Sequence, residues 1–205
     1  MKYIKRIIDK EIREKLSITG AVVIKGPKWC GKTTSAKQIA KSIIEMQNPD
    51  LQENYIELAN TKPSLLLEGE KPRLIDEWQL APKLWDAVRY SIDKSSMVNQ
   101  FILTGSATPN DSATMHSGVG RFSFVTMKPM TLAESGDSNG KISLEDIKNG
   151  KRDIDGITTD LTYEKIAYVL CKGGWPNSLN LTEKQSLEVP KNYIDVLCES
   201  DISRI

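Results

Sequence analysis

Tyr3, Ile4, Ile7, Ile8, Ile12 and Leu16 recur at helical spacing with charges between them, which predicts an amphipathic helix packed on a core. Gly20 ends that pattern, and Ala21-Val22-Val23-Ile24 follows as an unbroken apolar run. Such a run suits a strand buried on both faces of a parallel sheet. Next, Ala36, Ile39, Ala40, Ile43 and Ile44 form one helical stripe that begins near Thr33 and is stopped by Asn48-Pro49. Residues 54–58 read as a second strand, 72–78 as a third and 101–103 as a fourth. Between the last two, Pro82 opens a helix carrying Leu84, Trp85, Val88 and Ile92. A polar loop over 107–119 has no pattern of its own, and loops of that length are usually functional. Phe122 to Thr126 completes a set of five strands. Strands alternating with helices predict an α/β fold with a five-stranded, mostly parallel sheet flanked by helices.

From Lys128 the texture changes. Ser143 starts a short helix that Asn149-Gly150 closes, and 163–172 is helical again, with Ile166, Val169 and Leu170 inward and Gly173-Gly174 as the stop. The last segment is interrupted at Pro190 and resumes with Tyr193, Ile194, Leu197 and Ile202. The pattern therefore predicts a core over 1–150, then a linker and small helical segment over 151–205. That second part reads as the start of a further domain, and the chain as part of a longer protein.

Composition narrows the function classes. Lys+Arg 28 against Asp+Glu 27 gives a net charge of +1, so no global field favours nucleic acid or an anionic membrane. No apolar run reaches membrane-spanning length, and the charged N-terminal turns do not form a signal peptide. The 3 cysteines include no C-x-x-C pair, which fits a cytoplasmic location and argues against disulfides or a zinc site. His116, the 1 histidine, lies in the polar loop and reads as solvated.

The chemistry concentrates at Gly26-Pro27-Lys28-Trp29-Cys30-Gly31-Lys32-Thr33, which fits G-x-x-x-x-G-K-[ST] between a strand and a helix. Glycines let consecutive N–H groups turn inward on a polyphosphate, and the helix beginning at Thr33 and Thr34 adds its positive end. Lys32 is expected to reach the β- and γ-phosphates of ATP, and the Thr33 hydroxyl to ligate Mg²⁺. Asp76 and Glu77 end an apolar strand. Asp76 is expected to hold Mg²⁺ through its water shell, and Glu77 to take a proton from the attacking water. Thr104 and Ser106, at the end of the neighbouring strand, are candidates to touch the γ-phosphate or that water. Their alternative role is to cap a turn. Arg121 is a candidate to neutralise charge on the transferring phosphoryl group, with a plain surface arginine as the competing reading. Cys30 is expected to be a vulnerable thiol near a helix N-terminus. Trp29 is either a stacking residue or merely exposed, and Cys171 and Cys198 read as small packed residues.

The blocks GPKWCGKTT, RLIDEWQ, FILTGSATP and GVGRFSFVTMKPMTLAESGDSNG, in that order, resemble the AAA-type ATP-binding proteins of bacteria and archaea. In that family an ATPase core is joined to a C-terminal domain of unknown function, and GGWP followed by YIDVLCESDISR resembles the entry to it. The resemblance implies a P-loop NTPase fold of AAA type, in which the strand ending at Thr104 lies between the phosphate-loop strand and the Asp76 strand. It assigns Lys32 and Thr33 to the first nucleotide motif, Asp76 and Glu77 to the second, and Thr104 or Ser106 to the sensor. It also places Arg121 as a candidate arginine finger, acting in cis or, as the resemblance suggests, in trans within a homo-oligomer.

The reading that results is a Mg²⁺-dependent ATPase that drives or gates a protein partner or second domain. Its rivals are an ATP-dependent binding switch with little turnover and a small-molecule kinase on the same loop. A kinase calls for an arginine-rich lid, which the sequence does not supply. Engagement of DNA finds no support in the charge.

Overall fold

A computed structural model of the chain describes residues 3–105, 118–150 and 154–201, except for the side chains of 200 and 201. Ser106 and His116, most of the polar loop, and Ile202 lie outside the described residues. The chain divides into two compact units, Met1–Lys128 and Pro129–Ile205.

In the first unit α1 (Ile8–Leu16) leads into β1 (Ala21–Lys25), and a loop then enters the short helix α2 (Lys32–Lys37). β2 (Ser42–Glu45), α3 (Gln52–Thr61), β3 (Arg73–Asp76), α4 (Lys83–Ser95), β4 (Phe101–Gly105) and β5 (Phe122–Thr126) follow. The strands form one sheet in the order β2-β3-β4-β1-β5. Every adjacent pair is parallel, and β4 separates the Asp76 strand from the phosphate-loop strand, as expected.

Alternation along each strand serves two layers of helix. Ala21, Val23, Ile75, Phe101 and Leu103 face one way, packed with α4 residues Leu84, Trp85, Val88 and Ile92. Val22, Ile24, Leu74 and Ile102 face the other way, with Ile12 and Leu16 of α1 and Ala36 of α2. Trp85 stacks on Phe122 with ring centroids 4.0 Å apart and tilts against Trp78 at 5.3 Å, making a buried aromatic column.

Two expected elements are replaced. The stripe from Ala36 to Ile44 is not one helix: α2 ends at Lys37, and Ser42–Glu45 enters the sheet as β2. Residues 54–58 are not a strand but the middle of α3, where Tyr55, Leu58 and Ala59 pack at helical spacing. Ile43 and Ile44 are β-branched, and a strand tolerates such neighbours better than a helix does.

In the second unit, α5 (Leu144–Lys148), α6 (Tyr163–Lys172) and α7 (Glu183–Val196) agree with the periodicity. Pro190 does not interrupt the last helix but lies within α7, at the cost of one backbone donor. Leu170 and Ile166 do not face inward; of the three residues expected to do so, Val169 is the buried one. Cys171 and Cys198 are exposed and not packed. No helix among the described residues is long and apolar enough to cross a membrane.

Candidate functional site

Parallel strands bring their carboxyl ends to one edge of a sheet, and ligands of open α/β sheets bind there. Lys25 of β1 is paired with Gly105 of β4, and Asp76 of β3 with Thr104. The loop 26–31, the two carboxylates and the end of β4 are thus set side by side by register.

The loop turns where its residue types allow. Gly31 has φ 101°, a left-handed conformation that glycine adopts without a Cβ penalty, and α2 begins at the next residue. A Cβ on Gly26 would collide with the Met127 carbonyl oxygen, so the backbone of the loop lies against the end of β5. Lys28, Trp29 and Thr34 are exposed, and Pro27 is half-buried. Lys32 is 6% exposed, and its Nζ donates to the carbonyl oxygens of Gly26 at 3.0 Å and Pro27 at 2.9 Å. The ammonium group is therefore held inside the loop.

Asp76 is the meeting point. It is 1% exposed, and its Oδ1 accepts a hydrogen bond from Thr33 Oγ1 at 2.7 Å and a second from Thr104 Oγ1. Its Oδ2 is buried without a hydrogen-bond partner among the described residues. A buried carboxylate oxygen left in that condition is costly. With the Thr33 hydroxyl it offers the hard oxygen donors that suit Mg²⁺, which needs one or two protein groups and completes its shell with phosphates and water. Among the described residues no three His, Cys, Asp or Glu side chains stand together as a self-sufficient metal cage.

Glu77 follows in the left-handed region at φ 54°, rare for a residue with a side chain, and its Oε2 accepts from Gln79 Nε2. Thr33, Asp76 and Thr104 are thus joined by hydrogen bonds, with Lys32 and Glu77 their neighbours in the chain, whereas Ser106 lies outside the described residues.

Arg121 is not brought to this edge. Phe122 pairs with Ala21 at the start of β1, so Arg121 stands at the opposite edge, roughly 16 Å of strand from the loop. There its Nε donates to Asp93 Oδ1 at 2.6 Å and its Nη1 to the Val119 carbonyl oxygen at 2.9 Å. The expected vulnerable thiol is also corrected. Cys30 is buried, and burial pushes its pKa up, with the nearby Lys32 and Arg6 charges offsetting only part of the effect. Its Sγ lies 3.8 Å from the Met127 carbonyl oxygen.

A support beneath the loop was missed. Arg6 is buried and donates from Nη1 to the Cys30 carbonyl oxygen at 2.9 Å and from Nη2 to that of Lys128 at 2.8 Å. Asp9 accepts from the Arg6 backbone N–H and, through both carboxylate oxygens, from the Tyr3 hydroxyl, all at 2.8 Å. The same hydroxyl is 2.9 Å from Ser35 Oγ, and burial leads the effects that raise the Tyr3 pKa to about 12. One signal was available: Asp9 shares a helix face with Ile12 and Leu16, where a carboxylate must find partners.

The profile of the family described as AAA domain matches residues 18–136. Two mycobacterial relatives, uncharacterized protein Rv2008c of Mycobacterium tuberculosis and uncharacterized protein Mb2031c of Mycobacterium bovis, are each 30% identical over 130 residues. The match covers 62% of this chain and 29% of each relative, so the chain spans less than a third of their length. Among solved structures, a Signal Transduction ATPase with Numerous Domains protein with a tetratricopeptide repeat sensor, from Pyrococcus horikoshii, is similar at TM-score 0.48 and 17% identity. That similarity covers 88% of this chain and 30% of the other. PCH-2 of C. elegans is similar at TM-score 0.41 and 12% identity, over 94% of this chain and 61% of the other.

Proposed function

This chain belongs to the AAA domain family, and from that premise we propose that it binds ATP with Mg²⁺ and hydrolyses it to drive or gate a partner or further domain. Family membership supports a nucleotide-binding, ATPase-like function. The observation that carries the finer reading is the Asp76 carboxylate, on which hydroxyls from the phosphate loop and from the end of β4 converge.

In this reading the loop N–H groups and Lys32 bind the polyphosphate, and Lys32 exchanges its two carbonyl acceptors for phosphate oxygens. Thr33 and Asp76 would hold Mg²⁺, which when bound neutralises charge developing on the phosphates. Glu77 takes a proton from water as its oxygen attacks the γ-phosphorus. The bond from that phosphorus to the β,γ-bridging oxygen breaks, leaving ADP and phosphate. Thr104 keeps Asp76 in place. Arg121 faces away from its own loop, so its finger role belongs to a second copy in a homo-oligomer. The proposed location is the cytoplasm.

Two substitutions test this reading. Lys32→Ala should abolish binding of a fluorescent ATP analogue in a folded protein, and Glu77→Gln should bind ATP but release phosphate at least about 100-fold more slowly. A Glu77→Gln variant that turns over at the wild-type rate would remove the carboxylate from the mechanism. Mixing it with Arg121→Ala tests the second copy: mixed oligomers that recover no turnover would end the trans assignment.

A further inference from the structure

Beside Glu77 lies a side chain whose role remains to be assigned, and its reading rests on the ATPase proposal. Gln79 sits in the single 3₁₀ turn Trp78–Leu80 that carries the chain away from β3. Its Nε2 donates to Glu77 Oε2. Its Oε1 is buried and has no hydrogen-bond partner among the described residues, and the same is true of the neighbouring Trp78 Nε1. Both atoms crowd over Gly105, the last residue of β4. A Cβ there would collide with Gln79 Oε1 and come within 3.3 Å of Trp78 Nε1. One amide therefore spans the gap between the candidate general base and the strand whose Thr104 holds Asp76.

The arrangement answers a need of the chemistry. Glu77 has left the strand conformation, so the sheet ladder does not orient its side chain. A carboxylate free to rotate meets the attacking water in the right geometry only part of the time, and proton transfer is sensitive to errors of about an ångström. A donor fixed on one carboxylate oxygen removes that freedom and leaves Oε1 to accept the proton. The amide itself is located by the backbone of Gly105, whose missing side chain makes the room. We propose that Gln79 is a positioning residue that fixes the Glu77 carboxylate for proton transfer and takes its own place from Gly105.

Steady-state phosphate release and ATP-analogue titration on the full chain test this. Gln79→Met keeps length and packing but has no N–H, and should lower kcat about 10- to 100-fold while leaving ATP affinity within about twofold. In a Glu77→Gln background the same change should alter the residual rate less than about twofold, because the group it positions is already gone. Gly105→Ala should reproduce the kcat loss by displacing the amide, and should add little to Gln79→Ala. Unchanged kcat in Gln79→Met, or an equal loss with and without the Glu77 carboxylate, overturns the assignment. Wild-type turnover by Glu77→Gln itself would remove the carboxylate from the mechanism and this inference with it, whereas no phosphate release by the wild-type chain would sink the ATPase reading.

Discussion

In Met1–Lys128 the α4 residues Leu84, Trp85, Val88 and Ile92 are each at most 7% exposed, whereas in Pro129–Ile205 the equally regular Ile166 and Leu170 of α6 are 39% and 76% exposed. The helices do not differ in pattern; they differ in what they have to lie on. A parallel sheet presents a continuous apolar face to α4, and Met1–Lys128 buries its apolar stripes on both sides of it. Pro129–Ile205 has no sheet among its described residues, and its buried apolar side chains there are Met130 and Val169. Its helices are secured locally instead. Ser143 and Thr162 accept from backbone N–H groups of the first turn, and Thr182 and Gln185 form a reciprocal capping box. Asp137 is tied to Lys172 at 2.8 Å and lies 3.8 Å from Lys165. Periodicity thus predicts that a helix exists, and burial depends on a partner surface that periodicity does not contain.

The contrast can be broken most forcefully in the first unit. Trp85→Ala removes the middle of the aromatic column and should cost about 3–5 kcal/mol in urea unfolding. A loss below about 1 kcal/mol would mean that the sheet does not depend on α4. In the second unit the largest effect should come from Asp137→Asn, about 1.5–3 kcal/mol, because it strips a charged partner from a buried lysine. Burial alone would raise the Asp137 pKa, but hydrogen bonds from Lys172 and Ser135 and the charges of Lys172 and Lys165 leave it lowered. The unfolded carboxyl therefore takes up a proton first. The stabilisation is present above the ordinary value of 3.8 and is lost as pH falls through the lower folded value. Asp137→Asn should erase that acid sensitivity, and melting curves collected below pH 4 in wild type and variant would show it. The smallest effect belongs to Leu170→Lys, which keeps helix propensity and should stay within about 0.5 kcal/mol. A larger loss would show that the exposed face of α6 is covered in solution.

That the loop 26–31, Asp76-Glu77 and Thr104 stand at strand ends is legible in the sequence, because each is a short signal that the chain places locally. Their convergence on one carboxylate is a matter of register between β1, β3 and β4. The passage from Ala36 to Leu58 was misread because short apolar runs satisfy a helical and a strand template at once. The Ile43-Ile44 pair needed the empty place beside β3 to decide it. Arg6 carries no local signal because its acceptors lie 24 and 122 residues away, separations on which a local pattern is silent. Gln79 stands within RLIDEWQ, but its role depends on Gly105 of another strand, which the local pattern does not place beneath it. Arg121 was legible as a residue, whereas the edge of the sheet it occupies was not.

The placement of the tryptophans gives the protein an optical property. Trp29 is 52% exposed within the phosphate loop, while Trp78 and Trp85 are buried together in the aromatic column. Indole emission moves to longer wavelength as its surroundings become more polar, so the loop ring emits on the red side of the spectrum and the column on the blue side. A soluble quencher will reach the red component first. With the fourth ring, half-buried Trp175, replaced by phenylalanine, occupation of the loop and loosening of the core can be followed separately in one unlabelled sample.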